Sequence, residues 1–151
     1  MSAASPNFDS YREAFPARKP DLSNMKNDDE CADLTGHPDF FRLEVAPAPV
    51  AVQGQPLRES GSSEAMHLWL VRPDTVFSAV EEGAAGKATQ RGRLSHTNLS
   101  AGLPAHCGGE LWFRDPSSVW LTGGSSRYAP ESKEELEAVV AAFVASGYSV
   151  C

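Results

Sequence analysis

Seven of the 11 prolines lie before residue 65, and this uneven placement limits the fold more than any other feature of the chain. Proline removes a backbone donor and fixes its own φ, and the residue before it avoids the helical region. Long regular elements are therefore confined to the later stretch. Residues 45–55 (VAPAPVAVQGQ) and 59–64 (ESGSSE) read as extended loop and linker. Residues 1–63 are expected to be an irregular, Pro-rich, acidic region with short helical or extended pieces. Residues 64–151 are expected to form an α+β domain. Phe8, Tyr11, Phe15, Phe40 and Phe41 make the first region too aromatic for a wholly disordered tail. These rings are expected to dock on the folded body, and residues 35–45 to hold a short strand.

The chain has 151 residues, the size of one ordinary domain. Its net charge of −7 argues against a nucleic-acid binder that works by neutralising phosphates. A local arginine still serves a small anion, because a site feels nearby charge before the distant average. Residues 1–65 carry 6 basic and 11 acidic side chains, so most of the acidity sits there. Cys31, Cys107 and Cys151 match neither a zinc spacing nor a disulfide framework, and free thiols in a reducing compartment are expected. The acidic N-terminus lacks the apolar core of a secretory signal, and no run approaches the roughly 18 apolar residues of a membrane span. A cytoplasmic protein with no membrane and no nucleic-acid partner is the expectation.

After residue 65 the texture changes. Residues 66–71 (MHLWLV) read as a buried strand and 75–80 as a second. Residues 81–90 read as a flexible loop, and 91–97 as a short strand ending at His96. Residues 109–114 and 118–122 flank the turn-forming Asp115-Pro116-Ser117 and predict a β-hairpin. Leu136, Val139, Val140, Phe143 and Val144 form one apolar stripe at helical spacing, with Ser132 placed to cap it and Glu135 completing a capping box. Gly147 ends that helix, and residues 148–151 start a last strand. The expected fold class is α+β: a small, mostly antiparallel sheet with a β-hairpin at 109–122, covered by one C-terminal amphipathic helix at 133–146.

The polar residues of 96–130 are the candidates for chemistry. His96, beside Thr97, suits a ligand contact at a strand end; it equally suits a bond to a backbone carbonyl. Glu110 opens an apolar strand between glycines that let a ligand approach, and it equally suits a solvent-facing position. Arg127 offers a planar fork for phosphate or carboxylate, Ser126 and its neighbours offer backbone N–H groups, and Tyr128 offers a ring and a hydroxyl. Arg127 in solvent and Tyr128 in the core are the alternatives. His96, Glu110 and Tyr128 are thus the catalytic candidates, and Thr97, Ser126 and Arg127 the ligand-binding ones. No metal site is expected, since His96, His106 and Glu110 match no zinc spacing. A nucleophilic Cys107 assisted by His96 is a further arrangement the residue types allow.

The order His96-Thr97-Asn98-Leu99-Ser100-Ala101-Gly102, then Gly109-Glu110-Leu111, then Ser126-Arg127-Tyr128-Ala129-Pro130 resembles a block in the plant IQ-motif calmodulin-binding (IQM) proteins and their bacterial relatives. The likeness covers residues 66–146. It implies a shared domain with a shared polar cluster. Ser and Arg stand before Tyr128 where that block has Gly and His, and the calmodulin-binding IQ motif is missing, so calmodulin is not an expected partner. The order of His96 and Tyr128 is also similar to diphtheria-type and PARP-type ADP-ribosyltransferases, with Glu110 as the acid on offer; this likeness implies NAD as a substrate rather than a bound cofactor. Two functions are weighed. One is a polar pocket for an anionic, nucleotide-like ligand, with ADP-ribosyltransferase-like chemistry as its enzymatic form. The other is a non-catalytic protein-interaction module anchored by aromatics such as Phe40 and Phe41.

Overall fold

The run His67–Val71 is buried along its whole length, and the sheet is built around it. The computed structural model describes residues 7–20, 22, 23, 25, 28–48 and 66–151. In chain order the elements are α1 (Phe8–Ala14), β1 (Phe41–Arg42), β2 (His67–Val71), β3 (Val76–Val80), α2 (Ala84–Lys87), α3 (His96–Ser100), β4 (Cys107–Asp115), β5 (Ser118–Thr122), α4 (Lys133–Ala145) and β6 (Ser149–Val150). The strands form one sheet in the order β1-β3-β2-β4-β5-β6. Every pairing is antiparallel except β5 with β6, so the sheet is mixed and the fold is α+β.

Both faces of β2 are covered, which is why its sequence is apolar without strict alternation. Trp69 and Val71 face one cluster with Phe8, Tyr11, Val139 and Phe143. Leu68 and Leu70 face the other, with Phe40, Leu94, Leu99 and Tyr128. The first face is covered by α4 together with α1. The Phe143 ring lies 5.2 Å from Phe8 and 5.5 Å from Trp69, both edge to face. Burying each such side chain contributes roughly 1.5–3 kcal/mol. Val144, placed on the apolar stripe by its spacing, is exposed.

Residues from before position 49 supply part of both clusters. Phe8, Tyr11 and Leu43 belong to the first and Phe40 to the second. Phe40 meets Phe77 edge to face, and Phe41 packs on His67 and Phe113. These two rings are therefore core contacts and not exposed anchors for a partner. The expected boundary at 63/64, the linker 59–64 and most of the loop 45–55 lie outside the described residues.

Two local expectations fail. Residues 91–97 do not form a strand: His96 begins helix α3, and the Asn98 Oδ1 accepts the Ser95 N–H at 3.0 Å. A side chain that satisfies the backbone in this way favours a helix start over a strand end. The helix closes after one turn because Ala101 and Gly102 take left-handed φ values of 56° and 74°. Residues 81–90 are not all loop either, since they contain α2. Its start is held from a distance, with Asp39 Oδ2 accepting the Ala85 N–H at 2.9 Å.

Candidate functional site

The sheet register places two carboxylates beside one another. Glu110 on β4 stands opposite Leu68 of β2, and the Glu81 N–H donates to the Met66 carbonyl at 3.0 Å. Met66 and Leu68 are two residues apart and share a face. Glu81 and Glu110 therefore flank β2 on that same face. There they line a cavity of about 370 Å³ with Arg91, Arg93, Ser95 and His96. The loop after β5 closes one wall through Gly124, Ser125 and Ser126.

Several of these polar groups have hydrogen-bonding capacity to spare. Arg91 Nη1 donates to the Ser95 hydroxyl at 2.9 Å, and Arg93 is exposed. Neither makes an ion pair among the described residues. The half-buried Glu81 carboxylate accepts no hydrogen bond among them. Its burial raises its pKa, Glu110 and Glu82 add to the rise, and the two arginines oppose it. Glu110 Oε1 accepts from the Thr122 hydroxyl at 3.1 Å and lies against Gly124, where a Cβ would come within 2.8 Å of it.

His96 forms the deepest polar part of the wall. Its Nε2 lies 2.9 Å from the Gly109 carbonyl, and since a carbonyl only accepts, Nε2 carries the proton. Burial pushes the imidazole pKa down to about 4, against a small upward pull from that bond. The ring is thus neutral at physiological pH, with Nδ1 a hydrogen-bond acceptor. It packs against Gly108, where a Cβ would come 2.7 Å from His96 Cδ2.

The other candidates from the sequence are divided. His96, Glu110 and Ser126 meet at the cavity, and Thr97, Arg127 and Tyr128 do not line it. Thr97 is fully buried and its hydroxyl donates to the Glu30 carbonyl at 2.7 Å. Arg127 grips the same residue, with Nε 2.9 Å and Nη2 2.7 Å from Glu30 Oε1. Tyr128 is packed in the core, its hydroxyl 2.6 Å from Ser100 Oγ and donating to the Leu103 carbonyl at 2.8 Å. Its pKa is raised by burial. Thr97 and Arg127 thus hold an earlier segment of the chain.

The opposite face holds a second polar group that the sequence did not suggest. Glu135 is buried, and its carboxylate accepts from Tyr11 Oη at 2.6 Å, from Arg18 Nη1 at 2.9 Å and from the Glu131 N–H at 2.7 Å. It does not turn back to Ser132 as a capping box would require, although Ser132 Oγ accepts the Glu135 N–H at 3.0 Å. Cys107 packs beside Tyr11 on this face, and burial pushes its thiol up to about 12. His96 lies across the sheet from it, over Gly108, so no Cys107–His96 nucleophilic pair forms. Among the described residues no group of three or more His, Cys, Asp or Glu side chains is arranged to hold a metal ion.

Glu81, Arg91 and Arg93 line the cavity and were not among the candidates read from the sequence. Arg91-Gly92-Arg93 was a visible signal: two guanidiniums around a flexible residue, just before the Ser95-His96 pair. No protein-family model matches the chain, and neither a curated protein nor a solved structure shows significant similarity to it. The described residues define an α+β protein whose mixed sheet, six-stranded among them, carries a charged pocket on one face. Among the described residues no helix is long and apolar enough to cross a membrane.

Proposed function

We propose that the cavity binds a small anionic, nucleotide-like ligand. The observation that carries this reading is the convergence of Arg91 and Arg93 with Glu81, Glu110 and His96 around one concavity. Guanidiniums that make no ion pair among the described residues suit a phosphate or carboxylate, and a cavity of about 370 Å³ lies in the size range of ligand pockets. Arg91 and Arg93 take the anion in this reading, and Arg127 remains with Glu30. An ADP-ribosyltransferase-like reaction would use His96 and Glu110 without Tyr128, whose hydroxyl is engaged elsewhere. NAD is one probe ligand for it. The three cysteines are free thiols, in keeping with the cytoplasmic setting that belongs to the same proposal.

Titration calorimetry with inorganic phosphate, ADP-ribose, NAD and nucleoside monophosphates tests this reading. Binding that weakens at least tenfold in an Arg91→Gln/Arg93→Gln variant, and survives in Arg127→Gln, supports it. Heatless titrations with every ligand on folded protein would remove it.

A further inference from the structure

We propose that His96, Glu81 and Glu110 form an acceptor face for the hydroxyls of a phosphorylated pentose, so that the cavity selects ribose phosphates over deoxyribose phosphates. This inference rests on the anionic-ligand reading and names the class of ligand that would fill the site.

The acceptors are set by the fold. His96 is 7% exposed, lines the cavity, and spends its one proton on the Gly109 carbonyl. Among the described residues its ring makes no second hydrogen bond, so Nδ1 presents a lone pair. Nδ1 is not sealed from solvent, so a ligand hydroxyl entering the cavity can reach it. Because the ring stays neutral, Nδ1 suits a neutral donor. Glu81 and Glu110 stand on either side of β2, which places the floor residues Met66 and Leu68 between them. A carboxylate accepts from neighbouring hydroxyls through both oxygens, and it is a recurrent partner of the ribose diol. The apolar floor suits the C–H face of a sugar ring. Arg91 and Arg93 in the same cavity then meet the phosphate.

The test is calorimetry at pH 7 with four probes: ribose 5-phosphate, 2-deoxyribose 5-phosphate, inorganic phosphate and phosphoethanolamine. Ribose 5-phosphate is expected to bind about tenfold to a hundredfold more tightly than the deoxy sugar and inorganic phosphate, the difference made by one hydroxyl on charged or buried acceptors. Glu81→Gln and Glu110→Gln, each at a half-buried position where the fold is retained, should collapse that ratio toward one. Phosphate binding with no gain from the sugar, or a preference for phosphoethanolamine, overturns the hydroxyl-acceptor assignment and leaves the anion reading standing. Silence from all four probes removes the anion reading and this inference with it.

Discussion

Arg127 and Glu30, 97 residues apart in the chain, form an ion pair in which both side chains are buried, with exposures of 8% and 2%. The Thr97 hydroxyl bonds the Glu30 carbonyl, and Asn98 Nδ2 donates to the Asp29 and Ala32 carbonyls at 3.0 and 3.1 Å. The loop after β5 and helix α3 thus clasp one early segment between them. That clasp ties α3, whose first residue is the cavity histidine, to residues 29–32.

Removing one partner of this clasp leaves the other charge buried. Glu30→Ala should destabilise the fold by about 3–5 kcal/mol in urea denaturation, the range for breaking a buried pair. Replacing both, as Glu30→Leu with Arg127→Met, should recover most of that loss. Equal stability of the single variant and the parent would show that the pair is not desolvated.

Gly108 is the second sensitive position. A methyl group there would stand 2.7 Å from His96 Cδ2 and 2.7 Å from the Trp69 carbonyl. Gly108→Ala should therefore cost about 1–3 kcal/mol as overpacking. Ligand affinity should fall with it, because the imidazole must move. Calorimetry with ADP-ribose, beside a thermal melt, separates the two effects. A variant that melts like the parent would mean that the ring has room to shift.

His96 links stability to pH in a stated direction. Its folded pKa of about 4 lies below the usual 6.5, so between those values the unfolded chain binds the extra proton. Stability from this group is complete above pH 6.5 and declines as the pH falls toward 4, by on the order of 3 kcal/mol. His96→Gln should flatten this part of the profile, read as melting temperature at half-unit steps from pH 4 to 7. An unchanged slope in the variant would assign the acid limb to other groups.

The thiols should differ sharply in reactivity. Cys151 is exposed, whereas Cys107 is buried with its pKa raised to about 12. With a disulfide reagent at pH 8, Cys151 should react within minutes and Cys107 only after denaturation. Fast labelling of Cys107 in the native protein, seen by peptide mass mapping, would contradict the packing of this face.

Glu135 makes a fifth test. Tyr11→Phe removes the hydroxyl that donates to its carboxylate, while Arg18 and the Glu131 N–H remain. The expected loss is about 1–3 kcal/mol in denaturant, with ligand affinity unchanged because the cavity is across the sheet. A fall in affinity would mean that the two faces are coupled.

The α+β class and the strand at 67–71 were legible because patterning is local: a dense apolar run needs burial on both faces, whatever covers it. His96, Glu110 and Ser126 stood out as candidates because they are polar groups near glycines in such a region, and the structure brings them to one cavity. Helix α3 was not legible as a helix, since its start depends on one side-chain bond from Asn98 to Ser95 and its length is five residues. The roles of Thr97 and Arg127 were hidden for a different reason. Both residues look free until a partner arrives from residues 29–32, and residue type carries no mark of which distant carboxylate will do so.

By itself, the amino-acid sequence determined where regular structure is permitted, which runs are apolar enough to be buried, and which stretch gathers polar groups with chemistry in them. These follow from proline geometry, side-chain hydrophobicity and short-range spacing, all properties of neighbours in the chain. Only the tertiary structure decided that Arg91 and Arg93 face the cavity while Arg127 is spent on Glu30, and that Tyr128 belongs to the core. Those outcomes depend on strand register and on pairing across many residues, where one alternation of the sheet sends a side chain to the opposite face.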